Sequence, residues 1–139
     1  MNLFSLLHPL SRSLMAVIFL ASGLGKIFAF ESTSSLMLST GFPVPQFFLG
    51  GAIVIEIVGG LGVLVGLGTR YAAAALICFT LLATIIFHAP FAADPTSGQE
   101  QLVHTLKNIA IIGGLLKLVI DGAGSFSLDR RFERTQILV

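Results

Sequence analysis

The sequence predicts an all-α integral membrane four-helix bundle with both N- and C-termini cytoplasmic. Three observations predict it. Of 139 residues, 55% are apolar and only 11% charged, against about 25% charged in an ordinary soluble domain. With a mean hydropathy of +0.95, eight Lys/Arg and seven Asp/Glu side chains cannot cover a water-soluble surface, so the outside faces lipid. Four apolar stretches approach the roughly 20 residues a helix needs to cross about 30 Å of hydrocarbon, and Lys and Arg lie asymmetrically around them. The length suits a single transmembrane domain over 1–139.

The first helix is expected over 9–30, with Pro9 suited to its first turn. It is longer than the apolar region of a signal peptide, lacks a small-residue cleavage site, and carries Lys26 near its far end, so it reads as a retained helix. A Ser/Thr-rich loop over 31–45 follows, ending in Phe42-Pro43-Val44-Pro45, which cannot continue a helix. Helices two and three are expected over 46–67 and 71–91, made antiparallel neighbours by the tight turn Gly68-Thr69-Arg70. A third loop over 93–98 holds Asp94-Pro95 and Gly98. Helix four, 101–120, is the weakest, because His104, Lys107 and Asn108 interrupt its first half. Gly122-Ala123-Gly124 stops it, and a polar tail fills 121–139.

Orientation follows from the basic residues. With both termini inside, the cytoplasmic ends hold Arg12, Arg70, Lys117, Arg130, Arg131 and Arg134, whereas the outer loops hold Glu31, Asp94 and Glu100 and no Lys or Arg. Asp129 and Glu133 interleave with the tail arginines, which reads as a solvated membrane-flanking segment. A net charge of +1 excludes the dense basic face that nucleic acid requires. Cys78, the one cysteine, excludes an intramolecular disulfide or dithiol motif, and inside its apolar run it is expected to pack as a small hydrophobe.

Polar residues within the spans carry the functional signal. An ionisable group at a helix centre costs about 2.5–3.5 kcal/mol on insertion scales, so each needs a partner. Ser22 and Lys26 are spaced i, i+4; Thr80, Thr84 and His88 form an i, i+4, i+8 stripe; His104, Lys107 and Asn108 are i, i+3, i+4 neighbours. Glu56 falls near mid-membrane and shares a face with Gly59, Gly60 and Val63, where small residues let another helix approach. The expectation is an outward-opening pocket lined by Lys26, Glu56, His88, His104, Lys107 and Asn108. Its charges are uneven: either one lysine is neutral, or one snorkels to the headgroups, or the pocket accepts an anionic or carbonyl-bearing ligand. The bland alternative is a structural clip from Glu56 to Lys26 or Lys107.

Gly62 and Gly66 form a GxxxG, read as close packing with self-association as the alternative, and Gly113-Gly114 lies in helix four. His88 and His104 lack zinc spacing, and no HExxH, CxxC, GxGxxG or P-loop is present, so no metal site is expected.

The ordered set Gly23-Leu24-Gly25-Lys26, Phe30, Met37, Gly41, Pro43, Glu56, Gly59-Gly60-Leu61, Gly66, Thr69-Arg70, His88, Lys107-Asn108-Ile109-Ala110, Gly113-Gly114-Leu115-Leu116 and Gly122 to Arg131 resembles the DoxX family of small membrane proteins along nearly the whole chain. The resemblance implies a four-helix bundle in a bacterial cytoplasmic (inner) membrane. The family name derives from a subunit associated with thiosulfate:quinone oxidoreductase, and some members are linked to membrane redox or thiol-stress complexes. It supplies no agreed catalytic residues. Three functions follow as expectations: a redox-associated subunit holding a quinone from the lipid pool or a partner; a transporter subunit for a small anion or polar solute, which four helices without an inverted repeat serve only as an assembly; or a structural protein recruiting a second copy or other partners.

Overall fold

A computed structural model describes residues 3–39, 41–87 and 95–137. Among them are six helices and no strand: α1 (Leu3–Phe28), α2 (Phe30–Ser39), α3 (Pro45–Val65), α4 (Thr69–Phe87), α5 (Pro95–Asp121) and α6 (Leu128–Ile137). Four of these, α1, α3, α4 and α5, are long and apolar enough to cross a membrane. Large side chains such as Phe28, Phe47, Val58, Ile85 and Ile120 stand on the outer surface. A fold with that exterior is solvated by lipid tails.

The boundaries differ from expectation in instructive ways. α1 begins before Pro9, which lies inside the helix instead of in its first turn; a spanning helix tolerates the lost N–H because side chains and neighbours re-satisfy the backbone. The segment expected as a Ser/Thr-rich loop is largely the helix α2. Its hydroxyls bond back one turn (Ser32 to Ala29 O, Ser34 to Glu31 O, Ser39 to Leu36 O), and Ser34 and Met37 are buried. α5 starts at Pro95, so the second half of the expected third loop is its first turn, where proline belongs. α4 is followed only to Phe87; the expected end of helix three and residues 88–94 lie outside the described residues.

The helices pack in the order α1, α3, α4, α5, with α2 resting mainly on α3. Glycines set the close approaches. A Cβ at Gly23 would lie 2.9 Å from Ile57, at Gly60 2.9 Å from Leu20, and at Gly59 2.9 Å from Leu76, so α3 nests against α1 and α4. Gly114 meets Met15 and brings α5 to α1. Gly62 faces Ala72 and Gly66 faces Ser127, so the GxxxG glycines are spent within the chain. Ala16, Phe19, Val63, Ala73, Leu76, Leu115 and Leu118 form the apolar core. All seven lie towards the end where the α3–α4 turn and the chain after α5 meet, called the base below. Cys78 is exposed on the flank instead of packed in this core.

A polar clamp ties the base together. Arg12 is only 2% exposed. Its guanidinium donates to the carbonyls of Ala123, Ser125 (3.3 Å) and Phe126 (2.9 Å), so α1 holds the loop after α5. Asp129 accepts from the N–H groups of Gly68 (2.7 Å) and Thr69 (3.0 Å). α4 starts after a glycine with no side-chain cap of its own, and a carboxylate from the C-terminal segment supplies one, favourably placed at the helix's positive end. The N–H of Asp129 in turn donates to Gly66 O at 2.9 Å. The segment expected as a solvated tail is thus partly built into the fold, and it continues as α6.

Removing the clamp is expected to destabilise the fold. Asp129→Ala should cost about 1–2 kcal/mol, the usual worth of a helix cap. Arg12→Leu, which strands three carbonyls, should cost about 3 kcal/mol or more. Thermal unfolding in detergent checks both; an Arg12→Leu protein as stable as wild type would show that the clamp contributes nothing.

Candidate functional site

Counted from the clamp at about 1.5 Å per residue, Lys26 stands about 21 Å above Arg12 on α1, and Glu56 about 15 Å above Gly66 on α3. The antiparallel course of the two helices closes the gap. Side chains lean towards the N-terminus of their own helix, so Lys26 leans down towards the base and Glu56 leans up. They meet with Lys26 Nζ 3.0 Å from Glu56 Oε1 and 2.9 Å from Oε2, and Nζ also donates to Ser22 Oγ. Close approach at Gly23 and Gly60 makes this reach short enough.

The exposure of the pair is unequal. The Glu56 side chain is 4% exposed, whereas the Lys26 side chain stays 28% exposed. The ammonium has three protons and three acceptors around it. A buried carboxylate is therefore paired with a cation that is itself only partly covered.

A second polar seam joins α4 and α5. Thr80 Oγ1 donates to Leu76 O (2.7 Å) and Thr84 Oγ1 to Thr80 O (2.6 Å), while Asn108 Nδ2 donates to Thr84 Oγ1 at 2.8 Å. The two-threonine part of the expected stripe is thus in use; His88, its third member, lies outside the described residues. Lys107 and His104 pair with each other at 3.3 Å on the exposed side of α5. Lys107 leans away from the base, along its helix towards the opposite membrane surface. The structure therefore brings together Lys26 and Glu56, seats Asn108 in the neighbouring α4–α5 seam, and leaves His104 and Lys107 exposed. Among the described residues no cluster of three or more His, Cys, Asp or Glu side chains has metal-holding geometry.

Beyond the polar seam an aromatic group closes the end opposite the base. Phe42, in the turn before α3, stands edge-on to Phe48 (centroids 5.1 Å apart) and stacks on Phe87 of α4 (5.7 Å). Sequence reasoning missed this group, although Phe42 in a proline-bounded turn was a signal that the loop packs.

The DoxX family model matches residues 8–89, which hold the Lys26–Glu56 pair. The inner membrane protein YqjF of Escherichia coli is 40% identical over 120 residues, covering 86% of this chain and 87% of its own. The inner membrane protein YphA of the same organism is 31% identical over 122 residues, covering 88% and 87%. The membrane protein Rv3486 of Mycobacterium tuberculosis is 30% identical over 130 residues, covering 88% and 79%. No solved structure matches significantly.

Breaking the pair from one side should be worse than removing it. Lys26→Met leaves a buried carboxylate unpaired and is expected to cost about 3–5 kcal/mol, whereas Lys26→Met with Glu56→Leu should cost much less. A double-mutant cycle measured by unfolding in mixed micelles reads the coupling; additive effects would show that the two side chains do not interact.

Proposed function

This chain belongs to the DoxX family, and we propose that it serves there as a redox-associated subunit whose Lys26–Glu56 site receives a quinone-like carbonyl compound from the bilayer. It is an inner-membrane protein with four membrane-spanning helices, as its E. coli relatives and its apolar helices indicate. On this reading the base, with Arg12, Arg70, Lys117 and the tail arginines, faces the cytoplasm, in accord with the placement of Lys and Arg.

The observation that carries the proposal is a partly exposed cation held against a buried carboxylate. A clip serving packing alone needs no partly exposed lysine. A lipid-soluble carbonyl compound approaching from the bilayer reaches Lys26 Nζ without crossing a water-filled cavity, exchanging for the Ser22 contact. Lys26 donates to the carbonyl oxygen, and Glu56 behind it passes protons as the carrier is reduced. The chain has no dithiol pair, so the electrons come from a redox centre of a partner subunit, consistent with the redox association that the family resemblance implies. Asn108, Lys107 and His104 belong to this reading as the polar groups of the same membrane half, and His88, outside the described residues, is retained from the sequence. A small anion suits the site less well, because Glu56 already pairs with Lys26.

The test is a titration of purified protein in nanodiscs with a short-chain quinone, alongside extraction of co-purified quinone. Wild type is expected to bind. Lys26→Met should weaken binding by about tenfold or more, the loss of one charged hydrogen bond, while Glu56→Gln should still bind but, when the bound quinone is reduced with added dithionite, take up its protons more slowly. Protein that neither carries quinone nor binds it would overturn the reading.

A further inference from the structure

We propose that the base carries a second site, independent of the Lys26–Glu56 pair, which holds the phosphate of an anionic phospholipid from the leaflet surrounding it. A hollow of about 680 Å³ opens there between the start of α4 and the chain after α5, lined among others by Thr69, Arg70, Tyr71, Ser127, Arg130 and Phe132. Among the described residues its two arginines, Arg70 and Arg130, have no carboxylate partner. Of the two acidic residues in its wall, Asp121 is paired with Lys117 and Asp129 is occupied by the N–H groups of Gly68 and Thr69. Arg130 donates to the Ser125 hydroxyl at 3.2 Å, and Arg70 is exposed beside Gly122.

Two further features bear on the occupant: the first suits a phosphate, the second a lipid. Thr69 Oγ1 is buried with no hydrogen-bond partner among the described residues, a donor left over in the wall of the hollow. Tyr71 and Phe132 project from its rim, both largely exposed. Tyrosine, with an apolar ring and a polar hydroxyl, settles at the headgroup level, and the wholly apolar ring of Phe132 suits the acyl side of that level. α6, which bears Arg130, Arg131 and Phe132, begins at this rim. A ligand with a phosphate for the arginines and acyl chains beside the aromatic rings fits this arrangement; basic recesses between spanning helices are a general means of holding anionic headgroups.

Native mass spectrometry of protein reconstituted in equal phosphatidylglycerol and phosphatidylcholine tests the proposal. Wild type is expected to retain phosphatidylglycerol preferentially, and Arg70→Gln with Arg130→Gln to reduce that preference about tenfold. Arg131→Gln removes an exposed charge that does not line the hollow and should leave the preference intact, and millimolar inorganic phosphate should not displace the lipid. Overturning results are equal retention of the two lipids by wild type, equal loss in Arg131→Gln, or displacement by phosphate. If the double variant does not fold, Arg70→Gln alone is read against Arg131→Gln, and equal retention by the two contradicts the site. Because quinone binding is read separately, failure here leaves the Lys26–Glu56 reading untouched, and the converse holds.

Discussion

Hydrocarbon offers no hydrogen bonds, and that constraint organises the whole molecule. Every polar group inside the bilayer must find its partner within the protein or reach an interface. The chain meets the demand at two levels. Near the base, Arg12 and Asp129 satisfy backbone groups that the helix ends leave open. Deeper in, Lys26 satisfies Glu56, and Asn108 satisfies Thr84.

The two levels depend on one another through the apolar core. The cluster around Val63, Leu76 and Leu115 fills the half next to the clamp and fixes the rotations of α1, α3, α4 and α5. Glycines on α1 and α3 then bring the backbones close enough for a lysine and a glutamate of limited reach to meet. A helix turned by a fraction of a turn would strand Glu56 against lipid or another apolar side chain. Packing of apolar surface thus decides where charge can sit, and the charges in turn penalise wrong packing.

The spans were legible because lipid demands long apolar runs, and the α3–α4 turn because glycine marks it. The partnership of Lys26 with Glu56 was legible in outline, since both are costly alone and fall at nearby depth. Which lysine pairs was not, because Lys26 and Lys107 are equivalent by depth; only the helix order, with α3 against α1, decides. The clamp was invisible for a different reason. Arg12 reads as an ordinary flanking charge and Asp129 as a solvated one, and their partners are backbone groups, which carry no sequence signature. α2 was hidden because serine and threonine favour loops by composition, yet here bond back to their own helix. Pro9 misled because helix position was read from a residue that a spanning helix accommodates in its interior.

The contact between Lys26 and Glu56 is where the fold, the polar site and the functional reading converge. Solid-state NMR of the protein in bilayers, with ¹⁵N at Lys26 Nζ and ¹³C at Glu56 Cδ, measures it directly. Strong dipolar dephasing, as two oxygens within 3.0 Å of the nitrogen require, is the expected result. Absence of dephasing in folded protein would contradict the pairing and everything built on it.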